Sequence, residues 1–105
     1  EKCLDFTYID DAIDGIVKAL MHFETAKNAT YNLAYGEGST ITALAELMKE
    51  LLGSTSEVTL GKMRTGEIGR YIANVGKAKK AFGYDPKTPF VEGVKKSVEW
   101  YSANT

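Results

Sequence analysis

A change of hydrophobic period across residues 3–17 constrains the fold of this chain more than any other feature. Leu4, Phe6 and Tyr8 alternate with Asp5 and Thr7, the pattern of a half-buried strand. Ile13, Ile16, Val17, Leu20 and Phe23 then recur at helical spacing, and Asp10 or Asp11 stands where a side chain can cap the first-turn N–H groups. A strand that runs straight into a capped helix opens both ends on one crevice. Open α/β sheets bind their ligands in such crevices.

The rest of the chain supplies further short elements. The first helix is expected from Asp11 to Phe23 or Glu24, with Gly15 inside it. Glycine there costs about 1 kcal/mol relative to alanine, so a close approach of something else is expected. His22, the single histidine, falls on the side of Lys18 and reads as a solvated helix residue. Tyr31 to Tyr35 alternates and predicts a second strand, followed by a Gly36-Glu37-Gly38 turn. Ser39 or Thr40 should cap a helix whose stripe is Ile41, Leu44, Ala45, Met48, Leu51 and Leu52, with Gly53 as its stop. Glu57 to Leu60 predicts a short strand, and Tyr71 to Ala73 an extended piece within a glycine-containing loop. A helix over Lys77–Phe82 lies between Gly76 and Gly83; Thr88 and Pro89 then predict a capped final helix with Phe90, Val94, Val98 and Tyr101 as its apolar face. The expected fold is α/β: a small, mostly parallel sheet of three or four strands with flanking helices.

Composition narrows the class. A chain of 105 residues, 44% hydrophobic and 26% charged, is read as a single folded lobe over residues 1–105. A net charge of −1 gives no overall pull toward nucleic acid or an anionic membrane, and no apolar run approaches the roughly 20 residues that cross a bilayer. The lone Cys3 excludes an internal disulfide and fits a cytoplasmic setting. The chain begins with Glu1, almost inside a strand, so a piece of something longer is expected. No metal-ligand cluster is expected, and the Gly-Glu-Gly turn lacks the third glycine of a dinucleotide fingerprint.

Charge is distributed unevenly. Residues 61–80 hold Lys62, Arg64, Arg70, Lys77, Lys79 and Lys80 against Glu67 alone, whereas residues 1–14 are acidic. The lysines read as solvation of a loop and a helix face. Arg64 lies in Met63-Arg64-Thr65-Gly66-Glu67, where glycine allows close backbone approach and a guanidinium can fork onto a phosphate. Tyr71 is the only aromatic interleaved with these cations, which disfavours a nucleic-acid surface.

Asp5-Phe6-Thr7-Tyr8-Ile9-Asp10-Asp11 resembles the R-D-[FY]-x-[YH]-V-x-D segment of NAD-dependent nucleotide-sugar epimerases and dehydratases, which are extended short-chain dehydrogenases. The resemblance continues in order. Tyr31 to Gly38 is similar to Y-N-[IL]-G-x-G-x, Thr40-Ile41 with Leu44 to S-[IV]-x-E-L, and Arg64-Thr65-Gly66-Glu67 to R-P-G-[DE]. Asn74 to Lys79 resembles D-x-S-K-A-x, Gly83 to Pro86 resembles G-[WY]-x-P, and Thr88 to Val94 resembles the closing [ST]-x-x-E-G-[LI] helix.

The resemblance implies the substrate-binding C-terminal lobe, with a UDP-sugar or related nucleotide sugar as ligand and a separate N-terminal dinucleotide-binding lobe as partner. It gives Arg64 the diphosphate and Glu67 the ribose hydroxyls, with Phe6 and Tyr8 lining the crevice. Among reactions of the parent enzyme, 4-epimerisation of a UDP-hexose is favoured as the commonest assignment; a 4,6-dehydratase or uronate enzyme reads much the same. NAD is implied for that parent and not for this chain. The family's G-x-x-G-x-x-G turn is not found, and none of the six tyrosines is followed by lysine at the fourth place, so no catalytic residue is assigned and the chain alone is expected to be inactive. Leu4 stands where the family has a second phosphate-binding arginine, a loss of about 1.5–3 kcal/mol of charge-assisted contact unless another cation such as Lys2 substitutes. That departure supports the alternative of a free-standing, non-catalytic module of the same fold. Cut free of a larger enzyme, the lobe is expected to self-associate or to fray at its first strand.

Overall fold

The computed structural model describes residues 2–59 and 69–104. Its elements are β1 (Cys3–Leu4), α1 (Ile9–Met21), α2 (Phe23–Ala26), β2 (Ser39–Thr40), α3 (Ile41–Leu52), β3 (Arg70–Tyr71), α4 (Gly76–Phe82) and α5 (Phe90–Ala103). The expected small open sheet is present, with three strands among the described residues in the order β2-β1-β3. Its pairing is mixed: Cys3 and Leu4 lie antiparallel to Thr40 and Ser39, and parallel to Arg70 and Tyr71.

Most helices fall where their sequence signals put them. Thr40 caps α3 by accepting from the Ala43 N–H at 3.0 Å, and Gly53 and Gly83 end α3 and α4 in the left-handed region at φ 63° and 73°. Other expectations give way. Tyr31 to Tyr35 forms no strand, and neither do the described residues 57–59; Leu60 lies outside the described residues. Alternation sets a direction for side chains but supplies no partner ladder, and β1 already has a neighbour on each edge. The Tyr8 position, not Asp10 or Asp11, precedes the first helical residue, without a side-chain cap. Thr88 does not cap α5 either: the cap position is Pro89, and Thr88 is buried with its N–H donating to Asp11.

The core lies where α4 meets α1, α2 and the 31–34 segment. Ala26, Val75, Ala78, Phe82 and Tyr84 are buried, with Ala19, Tyr31, Leu33 and Ala34 packed around them. Tyr31 meets Phe82 edge-on at 5.0 Å between ring centres. Gly15 is the close approach anticipated from its place in a helix, since a Cβ there would sit 2.8 Å from the Tyr84 ring.

That contact fixes which way α1 faces. Its inward residues are Asp11 and Gly15, while Ile13, Ile16 and Leu20 are 50, 53 and 68% exposed. The apolar stripe read from the sequence therefore points outward. On the other side of the molecule α3 and α5 pack on each other, and α3 buries no residue fully. A radius of gyration of 16.3 Å, against about 13 Å for a compact chain of this length, reflects the same thin packing.

Candidate functional site

The segment Asp5 to Asp11 is held by its two terminal carboxylates. Asp5 accepts the backbone N–H groups of Tyr35 and Gly36 at 2.9 Å each and of Ala73 at 3.2 Å. It thereby ties two connecting segments to the end of β1. Asp11 is buried and accepts from the N–H groups of Lys87 and Thr88 at 3.1 and 2.9 Å, tying the entrance of α5 to α1. Each carboxylate supplies charge-assisted acceptors to backbone donors of connecting segments, that of Thr88 being buried. Sequence reasoning read Asp5 as an outward strand residue and Asp11 as a cap. A side chain that pins a loop distant in sequence leaves no local periodic signal, which is why neither role was visible.

Between these ties, Phe6 and Tyr8 are set against α5. Phe6 meets Phe90 at 5.3 Å between ring centres, tilted by 53°. Lys96 places its ammonium 5.5 Å from the centre of the Tyr8 ring. Both aromatics line a groove of about 500 Å³ between α3 and α5, whose other walls include Leu44, Met48, Leu52, Val94 and Tyr101. Phe6 and Phe90 also border a smaller recess of about 210 Å³ that is more polar, with Tyr35, Glu37 and Ser39 at its rim. Phe6 thus stands between an apolar groove and a recess that offers a carboxylate and hydroxyls beside ring faces.

Arg64 and Glu67 lie outside the described residues, as do Lys62, Met63, Thr65 and Gly66. The described chain leaves at Thr59 and returns at Gly69, whose carbonyl accepts from the Cys3 N–H at 2.8 Å. Of the predicted site residues the structure brings together Phe6 and Tyr8. Leu4 sits in the ladder between Ser39 and Tyr71. In the basic segment, Lys77 donates to the Thr30 carbonyl at 2.8 Å and lies over the Tyr31 ring, so it fastens α4 to the preceding segment.

Tyr84 is a structural phenol. Its hydroxyl donates to the Ala34 carbonyl at 2.6 Å, and its pKa is pushed up to about 12, first by burial and then by the negative charges of Asp11, Asp5 and Asp14. A phenol held protonated this firmly is no general base. Gly38 gives the Gly-Glu-Gly turn an internal purpose: a Cβ there would meet Ile72 at 2.5 Å and the Cys3 sulfur at 2.7 Å. The turn leads into β2 rather than into a helix N-terminus, so it does not fit the pyrophosphate of a dinucleotide. Among the described residues no group of three His, Cys, Asp or Glu side chains could hold a metal ion, and no helix is long and apolar enough to cross a membrane.

No family model matches the chain. In sequence it is 36% identical over 96% of its length to UDP-glucuronate 4-epimerase 6 of Arabidopsis thaliana, covering 25% of that protein. In structure it superimposes on the UDP-glucose 4-epimerase of Thermotoga maritima, solved with UDP-glucose, with a TM-score of 0.86 and 29% identity over 99% of this chain and 33% of that one. A Bacillus cereus UDP-glucuronic acid 4-epimerase variant, solved with a fluorinated UDP-sugar and NAD, gives 0.83 at 25% identity over 96% of this chain and 32% of that one. The chain therefore spans between a quarter and a third of the length of these proteins.

Proposed function

We propose that this chain, which matches the C-terminal part of the UDP-sugar epimerases and related NAD-dependent epimerase/dehydratases, is a nucleotide-sugar-binding lobe. In this reading a UDP-sugar lies beside Phe6 and Tyr8, Arg64 takes the diphosphate and Glu67 the ribose. A 4-epimerase is the favoured parent, its NAD held by a separate dinucleotide-binding lobe that also brings the catalytic base. The observation that carries the reading is the agreement of sequence and fold over nearly the whole chain with proteins three to four times as long, among them ones solved with UDP-sugars.

The chain's own residues give this reading a physical basis. Asp5 and Asp11 hold Phe6 and Tyr8 rigidly from both ends, as a preorganised binding face needs. With half the crevice supplied elsewhere and no cation at Leu4, affinity for UDP alone should be on the order of millimolar. Titration with UDP, followed by amide shifts, is expected to move the resonances around Arg64 and Phe6, and Arg64→Ala should abolish the response. Shifts confined to Lys77 to Lys80 would overturn the assignment. Leu4, built into the ladder where the family carries arginine, supports the second reading of a non-catalytic module; absence of any UDP response in the native chain would favour it.

A further inference from the structure

The polar recess beside Phe6 is walled by two segments, each hung from a different carboxylate. Tyr35, Glu37 and Ser39 belong to the segment whose Tyr35 and Gly36 N–H groups Asp5 holds. Pro89 and Phe90 contribute the entrance of α5. That entrance has no side-chain cap of its own: Pro89 stands at the cap position, and the N–H groups of Lys87 and Thr88 before it go to Asp11. Asp11 and Thr88 are 7 and 8% exposed, so this clamp is largely shut off from water. From there α5 runs along the 6–8 segment. Phe90, Gly93 and Lys96 follow one another at three-residue spacing. Phe90 meets the Phe6 ring at 5.3 Å, a Cβ on buried Gly93 would lie 3.5 Å from the Tyr8 Cβ, and the Lys96 ammonium lies 5.5 Å from the Tyr8 ring centre.

We propose that Asp11 is a positioning residue for the nucleotide-sugar face, acting on Phe6 through the 87–90 turn and the Phe90 ring. The inference rests on the reading of Phe6 as a ligand-lining residue. Asp11 does not itself line the recess. What it holds is the entrance of α5, and with it the ring that Phe6 rests against. Phe6 and Phe90 both border the apolar groove as well as the recess, so their mutual seating divides one space from the other. With the entrance of α5 released, both rings gain freedom that a ligand would have to remove, and affinity falls. Asparagine at position 11 keeps the size of the side chain and one acceptor oxygen, but turns an amide donor toward one of the two N–H groups.

NMR of the 105-residue chain, with UDP as the probe, tests the proposal. Asp11→Asn is expected to shift the Phe6 ring resonances before any UDP is added, and to weaken UDP binding about fivefold. Phe90→Leu leaves both Asp11 bonds in place and should weaken UDP by a similar factor. Combined, the two changes should cost no more affinity than the larger does alone, because both act at one ring. Phe82→Leu, in the core around α4, is the control for stability: it should lower the melting temperature comparably and leave UDP affinity within about twofold. Additive losses, unmoved Phe6 resonances in Asp11→Asn, or an equal loss of affinity in Phe82→Leu would overturn the proposal. Should Asp11→Asn fail to fold, Phe90→Leu decides alone, and unchanged UDP affinity in it overturns the proposal. If UDP moves no resonance of the native chain, it is the ligand reading that fails, and the Phe6 shifts in Asp11→Asn still decide whether the clamp positions the ring.

Discussion

The side of the molecule around α4 and the side formed by α3 and α5 bury their apolar residues to very different depths. Ala78, Phe82 and Tyr84 are 0, 5 and 1% exposed, whereas Met48, Leu52 and Tyr101 are 39, 57 and 64% exposed. Both sides are helical and both carry well-formed apolar stripes, so helix propensity does not explain the contrast. The difference is what the stripes meet. On the α4 side three helices, the 31–34 segment and the Tyr84 ring close around one another, and hydrogen bonds such as that from Thr25 Oγ1 to the Ala81 carbonyl at 2.8 Å reinforce the closure. On the other side two helices meet with little beyond the Phe6–Ile9 segment between them. Stability should therefore reside on the first side and binding capacity on the second.

The largest expected effect tests that division directly. Phe82→Ala removes a buried ring and should cost about 3–5 kcal/mol, a large share of the roughly 5–15 kcal/mol by which folded domains are stable. Leu52→Ala, more than half exposed, should cost under about 1 kcal/mol. Urea denaturation of both measures the ratio; equal losses would break the comparison.

Asp5→Ala comes next. It strands the N–H groups of Tyr35, Gly36 and Ala73 together, for a loss of about 2–3 kcal/mol. Hydrogen exchange should show those three amides losing protection ahead of the α4 amides. Uniform loss would mean that the carboxylate supports the whole core rather than the binding face.

Gly15→Ala is expected to cost about 1–2 kcal/mol, although alanine is the better helix former by about 1 kcal/mol. The new methyl would lie 2.8 Å from a ring that is buried and hydrogen-bonded and cannot swing away. Thermal unfolding reads the sign, and a stabilised variant would show that Tyr84 yields.

These residues also show what could be read from the sequence. α3 was legible because its stripe, its Thr40 cap and its Gly53 stop are all local signals, and each is present in the structure. The likeness to UDP-sugar epimerases was legible for a different reason: short motifs recurred in order along the chain. The orientation of α1 was not, because a 3.6-residue stripe has the same period whether it faces a core or a partner, and the deciding contact is Tyr84, 69 residues from Gly15. Thr88 failed as a cap for a related reason, since Asp11 claims its N–H from 77 positions away. Phe6 and Tyr8 line one groove because they sit on one short segment. Arg64 and Glu67 lie outside the described residues, so their part in the site rests on the resemblance alone.

The smallest effect at neutral pH is the most specific test of how closed the α4 side is. Tyr84→Phe deletes the bond to the Ala34 carbonyl and should cost about 1 kcal/mol near pH 7. The phenol of Tyr84 ionises near its ordinary value of 10.0 in the unfolded chain and at about 12 in the folded one. Its contribution is therefore complete below pH 10 and is lost as the pH rises toward 12, because over that window the unfolded chain releases a proton that the folded chain retains. The decline approaches 1.4 kcal/mol per pH unit for the native chain, and Tyr84→Phe lacks it. Subtracting the two stability curves cancels every other titrating group, and the gap of about 1 kcal/mol should close near pH 11. A gap that stays constant from pH 8 to pH 11 would mean that water reaches the Tyr84 hydroxyl, and that the α4 side is no more closed than the groove across from it.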